Sequence, residues 1–139
     1  MREILFRGKR IDNGEWVEGA FLNDRDGAFY ICPAVSDISY GDGGNRRRIG
    51  CWYKVDTSTV GQYTGLLDKN GKRIFDGDIA KVLQGKDKDI AYIGFENGAF
   101  MLYPKTGNIY ERTLWSYWYN DWDVEVIGNI TDNQELLEK

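Results

Sequence analysis

Three groups of side chains in this sequence have types and spacing that could do chemistry. The first is Arg46-Arg47-Arg48, which ends a Ser-, Asp- and Gly-rich stretch and precedes Trp52 and Tyr53. Guanidinium groups neutralise phosphates and aromatic rings stack on bases, so the pattern suits a nucleic-acid-binding module. The formal net charge of -4 opposes that use, and a solvated loop end feeding a strand is the plainer reading. The second group is Asp68, Asp76 and Asp78. Clustered carboxylates can hold a divalent cation or share a proton in acid–base work. Asp and Gly are equally what a turn into a strand requires, because the Asp side chain accepts from backbone amides two residues on. A D-x-D-x-D-G loop with its closing Glu is missing, so the turn reading is preferred, with no metal and no cofactor expected. The third group is the aromatic run Trp115, Tyr117, Trp118, Tyr119 and Trp122. Trp and Tyr are enriched at interface hot spots, so Trp115, Tyr117 and Trp118 are read as an interaction surface, in a protein expected to form homo-oligomers.

Several chemistries are excluded at once. The 139 residues contain no histidine, which removes Ser-His-Asp and Cys-His constellations, histidine metal sites and the usual general base near neutral pH. G-x-S-x-G, the Walker loop and G-x-G-x-x-G are absent, and Gly41-Asp42-Gly43-Gly44 is followed by Asn45 and arginines where a phosphate loop has Lys and Ser or Thr. No catalytic residue is assigned, and a non-enzymatic protein is expected. Cys32 and Cys51 lack C-x-x-C spacing, so reduced, partly buried thiols are expected. Ile4-Leu5-Phe6 is too short an apolar run for a signal peptide and no run approaches a membrane span, which points to the cytoplasm.

Turn residues identify the elements that must position these groups. Asn-Gly, the strongest short hairpin signal, occurs at Asn13-Gly14, Asn70-Gly71 and Asn97-Gly98, each between apolar segments; all three are read as type I′ turns. Lys105-Thr106-Gly107-Asn108 supplies a fourth turn. Strands over 78–83, 90–95, 99–103 and 124–127 make a four-strand meander, and the fold class is mainly β: an SH3-like or half-open small β-barrel with an N-terminal β-hairpin extension and one or two short helices. The expected division is 1–60 for the extension with its long loop and 61–139 for the barrel-like core with a C-terminal helical turn, the two forming one compact unit or two small β units that share a core. The helix falls at Thr113 to Tyr119, capped by Thr113, with Leu114, Trp115, Trp118, Tyr119 and Trp122 on one stripe and Tyr117 opposite. Thr131 or Asp132 is read as the cap of a C-terminal turn through Leu137.

Four strings, Arg2-Glu3-Ile4-Leu5-Phe6-Arg7, Val60-Gly61-Gln62-Tyr63-Thr64-Gly65-Leu66-Leu67-Asp68, Gly71-Lys72-Arg73-Ile74-Phe75-Asp76-Gly77-Asp78-Ile79 and Val126-Ile127-Gly128-Asn129-Ile130, occur in order along the chain. In these it resembles the YopX family of bacteriophage and prophage proteins. The resemblance spans essentially the whole chain and departs from the family's usual tail at Thr131 and Gln134. It implies a β-rich accessory protein acting inside an infected bacterium, with a phage or host protein as partner, and it supplies no reaction, cofactor or catalytic residue. Seen through it, residues 62–65 and 76–78 form one structural joint around the Asn70-Gly71 hairpin, beside which Gln62 and Tyr63 are candidates for a recognition surface.

Overall fold

A computed structural model describes residues 3–33, 39–40, 47–48, 52–120 and 122–138, with residues 39–40, 47–48 and 118 described by backbone alone. The strands, in chain order, are β1 (Phe6–Lys9), β2 (Trp16–Asn23), β3 (Phe29–Pro33), β4 (Ser39–Tyr40), β5 (Arg47–Arg48), β6 (Tyr53–Val55), β7 (Gly61–Leu67), β8 (Arg73–Phe75), β9 (Asp78–Gln84), β10 (Asp87–Glu96), β11 (Ala99–Pro104), β12 (Arg112–Thr113) and β13 (Asp123–Asn129). One helix, α1 (Leu114–Tyr119), precedes β13, and 3-10 turns occupy Thr57–Thr59 and Gln134–Leu136. The chain divides into two compact units, Glu3–Gln62 and Tyr63–Lys139.

In the first unit β6, β3, β2 and β1 are successive antiparallel neighbours, and Gly61 and Gln62 of β7 pair with β1. Alternation puts Phe6, Phe21 and Phe29 on one side, where their ring centroids lie 5.0 and 4.9 Å apart, next to buried Ile31 and Val55. The sheet curls until the end of β1 meets β6: Ile11 N–H donates to the Lys54 carbonyl at 3.1 Å and Asp56 N–H to that of Lys9 at 2.9 Å. A Cβ on Gly8 would lie 2.9 Å from the Val55 side chain, so only glycine allows this approach. Strands β4 and β5 pair as a two-stranded ribbon.

In the second unit five antiparallel strands run in the order β12-β11-β10-β9-β13. Ala80, Val82, Ala91, Ile93, Leu102, Val124 and Val126 alternate onto one face and are buried with Ile74, Ile109, Leu114 and Tyr117. Full burial of each larger aliphatic or aromatic side chain contributes about 1.5–3 kcal/mol, so this face is the unit's main source of stability. The mainly β expectation holds, and neither sheet closes into a barrel. The expected meander is correct only for β9 to β11. Instead of following β11, β13 pairs along the other edge of β9, because α1 packs on the buried face and returns the chain to that edge.

The turns need a similar refinement. Only Asn97-Gly98 has positive φ at both residues, 53° and 82°, as a two-residue type I′ loop demands. At Asn13-Gly14 and Asn70-Gly71 the glycine alone is left-handed, with φ of 73° and 82°. Gly71 N–H donates to the Asp68 carbonyl and Asp68 N–H to that of Lys72, which closes a longer loop with the left-handed glycine at its end. The C-terminal turn is not capped by Thr131 or Asp132. Their amides donate to Asn129 Oδ1, while Asn133 Oδ1 accepts from Asn129 N–H at 3.1 Å.

The carboxylates behave as turn residues. Asp78 Oδ2 accepts from Phe75 N–H at 2.7 Å across Gly77, whose φ is 95°. Asp68 Oδ1 accepts from Asn70 and Lys72 N–H at 2.8 and 2.9 Å, and its Oδ2 from Val126 N–H at 2.9 Å. Burial pushes the Asp68 carboxyl up, but the Val126, Lys72 and Asn70 amides and the Lys72 charge outweigh it and leave it below the ordinary carboxylate value. Asp68 therefore contributes stability that is complete above about pH 4, its unfolded value, and is lost as pH falls through the lower folded value. Asp68→Asn puts an NH2 group against Val126 N–H; urea melts at pH 7 should show a loss of about 1–3 kcal/mol, shrinking toward the wild type's own value in acid.

Candidate functional site

Six residues are too few for α1 to stand alone, and its ends explain why it forms. Thr113 Oγ1 accepts from Ser116 N–H at 3.3 Å as the expected cap, and Trp122 N–H closes the other end on the Tyr117 carbonyl. Leu114 and Tyr117, three apart, point into the core and are 1% and 0% exposed. The Tyr117 hydroxyl donates to the Tyr110 carbonyl at 2.6 Å, its ring meets Trp122 edge-on at 4.8 Å, and burial pushes the phenol above its usual value. Trp115 and Tyr119, four apart, face outward at 57% and 67% exposure, with rings stacked at 4.9 Å.

This corrects the expected stripe. The helix stops at Tyr119, so Trp122 leaves helical spacing and packs against the core together with Leu114 and Tyr117, while Trp115 and Tyr119 take the exposed side. Tyr117, expected on the interaction surface, is buried because its hydroxyl finds a backbone carbonyl inside. The backbone of Trp118 lies in α1 and its side chain is outside the described residues.

A cleft of about 580 Å³ opens beside the exposed pair, walled by Leu67, Tyr119, Trp122 and Val124, with Lys69 and Asp123 as charged members. Leu67 is 49% exposed at its lip. The Asp68 carboxylate in the wall is occupied by the three amides described above. Leu67 and the exposed Tyr110 were missed in the sequence: Leu67 reads as an ordinary hairpin residue, and Tyr110 carries no pattern at all.

The other candidates are scattered. Tyr63 is buried against Phe75 at a centroid distance of 5.6 Å, so it offers no surface, and Gln62 is half-buried opposite Phe6. Arg46 lies outside the described residues, and Arg47 and Arg48 are placed by backbone only, on β5. Trp52 is half-buried, and Arg10 covers one face of Tyr53 at 3.9 Å while Asp12 grips its guanidinium through two hydrogen bonds. That face of Tyr53 is not open to a base.

Together these features define a mainly β protein of two units whose second unit presents an aromatic helix face beside a cleft of mixed apolar and charged lining. Residues 5–138 match the YopX protein family, and the chain belongs to it. The chain is similar to the crystal structure of protein EF1440 from Enterococcus faecalis, at 27% identity and a TM-score of 0.64 over 99% of this chain and 100% of that one. No curated protein matches the chain. Among the described residues no helix is long and apolar enough to cross a membrane, and no group of three or more His, Cys, Asp or Glu side chains is placed to hold a metal ion.

The two sides of α1 should respond differently to substitution. Tyr117→Phe leaves the Tyr110 carbonyl without its donor and should cost about 1–2 kcal/mol in urea melts, whereas Trp115→Ala on the open side should cost less than about 1 kcal/mol.

Proposed function

We propose that the protein is a non-enzymatic protein-interaction module, a phage- or prophage-derived accessory protein of the bacterial cytoplasm that self-associates through the outer face of α1. The observation behind this reading is the stacked Trp115–Tyr119 pair, two large aromatic rings more than half exposed, of which Tyr119 lines a cleft of apolar and charged side chains. A pre-stacked pair loses little rotamer freedom on binding, and paired aromatics flanking a cleft are what interface hot spots consist of. The phage origin rests on the resemblance of the four sequence strings to the YopX family.

Sedimentation equilibrium and light scattering of the wild-type chain should give a dimer or higher oligomer at high micromolar concentration, little changed between 0.1 and 1 M salt as an apolar interface requires; about tenfold weaker association is expected for Trp115→Ala/Tyr119→Ala. A strictly monomeric wild type would remove the self-association. A nucleic-acid affinity that falls steeply with salt would replace this reading by the arginine-loop one.

A further inference from the structure

Residues 63–139 hold 13 Asp and Glu against 9 Lys and Arg, yet three of the nine cations surround one small pocket. Lys81 on β9 stands directly opposite Ile90 on β10. Lys88 precedes Ile90 by two residues and so shares its side of the sheet, the side opposite the core-facing Ala80, Val82 and Ala91. Lys105, just after β11, donates its backbone N–H to the Ile90 carbonyl at 2.7 Å. The three side chains, with Ile90, Thr106 and Asn108, line a pocket of about 300 Å³.

Three lysines and one carboxylate, Asp89, line this pocket. Among the described residues none of the three ammonium groups lies within ion-pairing distance of a carboxylate. Lys105 Nζ is held by neutral oxygens, the backbone carbonyls of Leu136 and Glu138. Glu125 faces Lys81 in register across β13, but its carboxylate turns to Lys69 at 3.8 Å and to the Asn70 amide at 3.3 Å. Asp89 is the carboxylate in the pocket wall. It is buried, and its oxygens accept from Ile90 N–H at 2.8 Å, Thr106 N–H at 3.1 Å and the Thr106 hydroxyl at 2.8 Å. Three ammonium groups stand against one carboxylate whose oxygens are already occupied by amides and a hydroxyl, so the pocket is locally electropositive and favours an anion.

We propose that this pocket binds the phosphate group of a small phosphorylated ligand. Lysine acts on phosphate as a point charge that tolerates varied approach angles, which suits side chains carried by a strand, a neighbouring strand and a loop around one pocket. The volume is at the lower end for ligand pockets and favours a phosphate or diphosphate with a small attached group over an extended polymer.

Inorganic pyrophosphate is the probe. Calorimetric titration in about 20 mM salt should show one site, with amide shifts in the 15N spectrum concentrated at residues 81–90 and 105–108. Lys81→Ala should weaken binding at least tenfold, while Lys86→Ala, an exposed lysine in the β9–β10 turn outside the pocket, should leave it within about twofold. All lysines concerned are exposed, so the variants should melt with the wild type. Absence of binding by the wild type, equal losses in the two variants, or shifts located elsewhere would each overturn the proposal. Binding of a single-stranded oligonucleotide without binding of pyrophosphate would do so as well, and would assign the cations to nucleic acid.

Discussion

One carboxylate ties together segments that lie 58 positions apart. Asp68 closes its own turn with one oxygen and receives the Val126 amide of β13 on the other, while Lys69 N–H donates to the Val124 carbonyl beside it. Strand β13 forms an edge of the five-stranded sheet, and without these contacts its outward amide and carbonyl would be left to water. The hairpin tip instead covers that edge and fixes how Leu66 and Leu67 lie relative to Val124. The cleft beside α1 depends on this, since Leu67 belongs to the hairpin and Val124 to the strand it holds. Burial alone would disfavour the charge on Asp68, and the three amides together with the Lys72 charge outweigh that penalty.

What the sequence makes legible follows the range of the interaction. Asp68 accepting from Asn70 and Lys72 is local chemistry, and Asp-x-Asn-Gly announces it. The third bond, to Val126, involves a residue that carries no mark of it. Turn positions were similarly readable and turn types were not, because Asn-Gly permits type I′ geometry without demanding it. Loop length decided: two residues at Asn97-Gly98 forced both into positive φ, and longer loops elsewhere released the asparagine. The side of β9 on which β13 would pair was invisible for a further reason. Alternation assigns the faces of a strand but says nothing about its neighbours.

Composition marks the aromatic run, but helical periodicity does not assign its faces. A stripe argument needs a helix of several turns, and α1 ends after six residues. With so short an element the burial of Leu114 and Tyr117 sets which side faces the core, and the hydrogen bond from the Tyr117 hydroxyl to the Tyr110 carbonyl lets a phenol be buried there. The opposite error affects the lysine pocket, where nothing in the spacing of positions 81, 88 and 105 suggests a cluster. Antiparallel register alone brings them around Ile90.

The helix face and the lysine pocket belong to one unit but use opposite sides of one sheet: Leu114 and Tyr117 anchor α1 against the face that Val82 and Ala91 present, and Lys81 alternates to the other. Their energetics differ accordingly, since an apolar aromatic contact tolerates salt whereas a lysine–phosphate contact is screened by it. Glu125 is the side chain best placed to respond to both, paired with Lys69 of the cleft and opposed to Lys81 in register. Its ion pair is partly exposed at 3.8 Å, and such pairs are worth roughly 0–1 kcal/mol. A partner that drew Lys69 away would release Glu125 toward Lys81, yet the cost to an anion on the far side would stay within that same roughly 1 kcal/mol, less than a tenfold change in affinity. The two surfaces of this small sheet are thus nearly independent electrostatically.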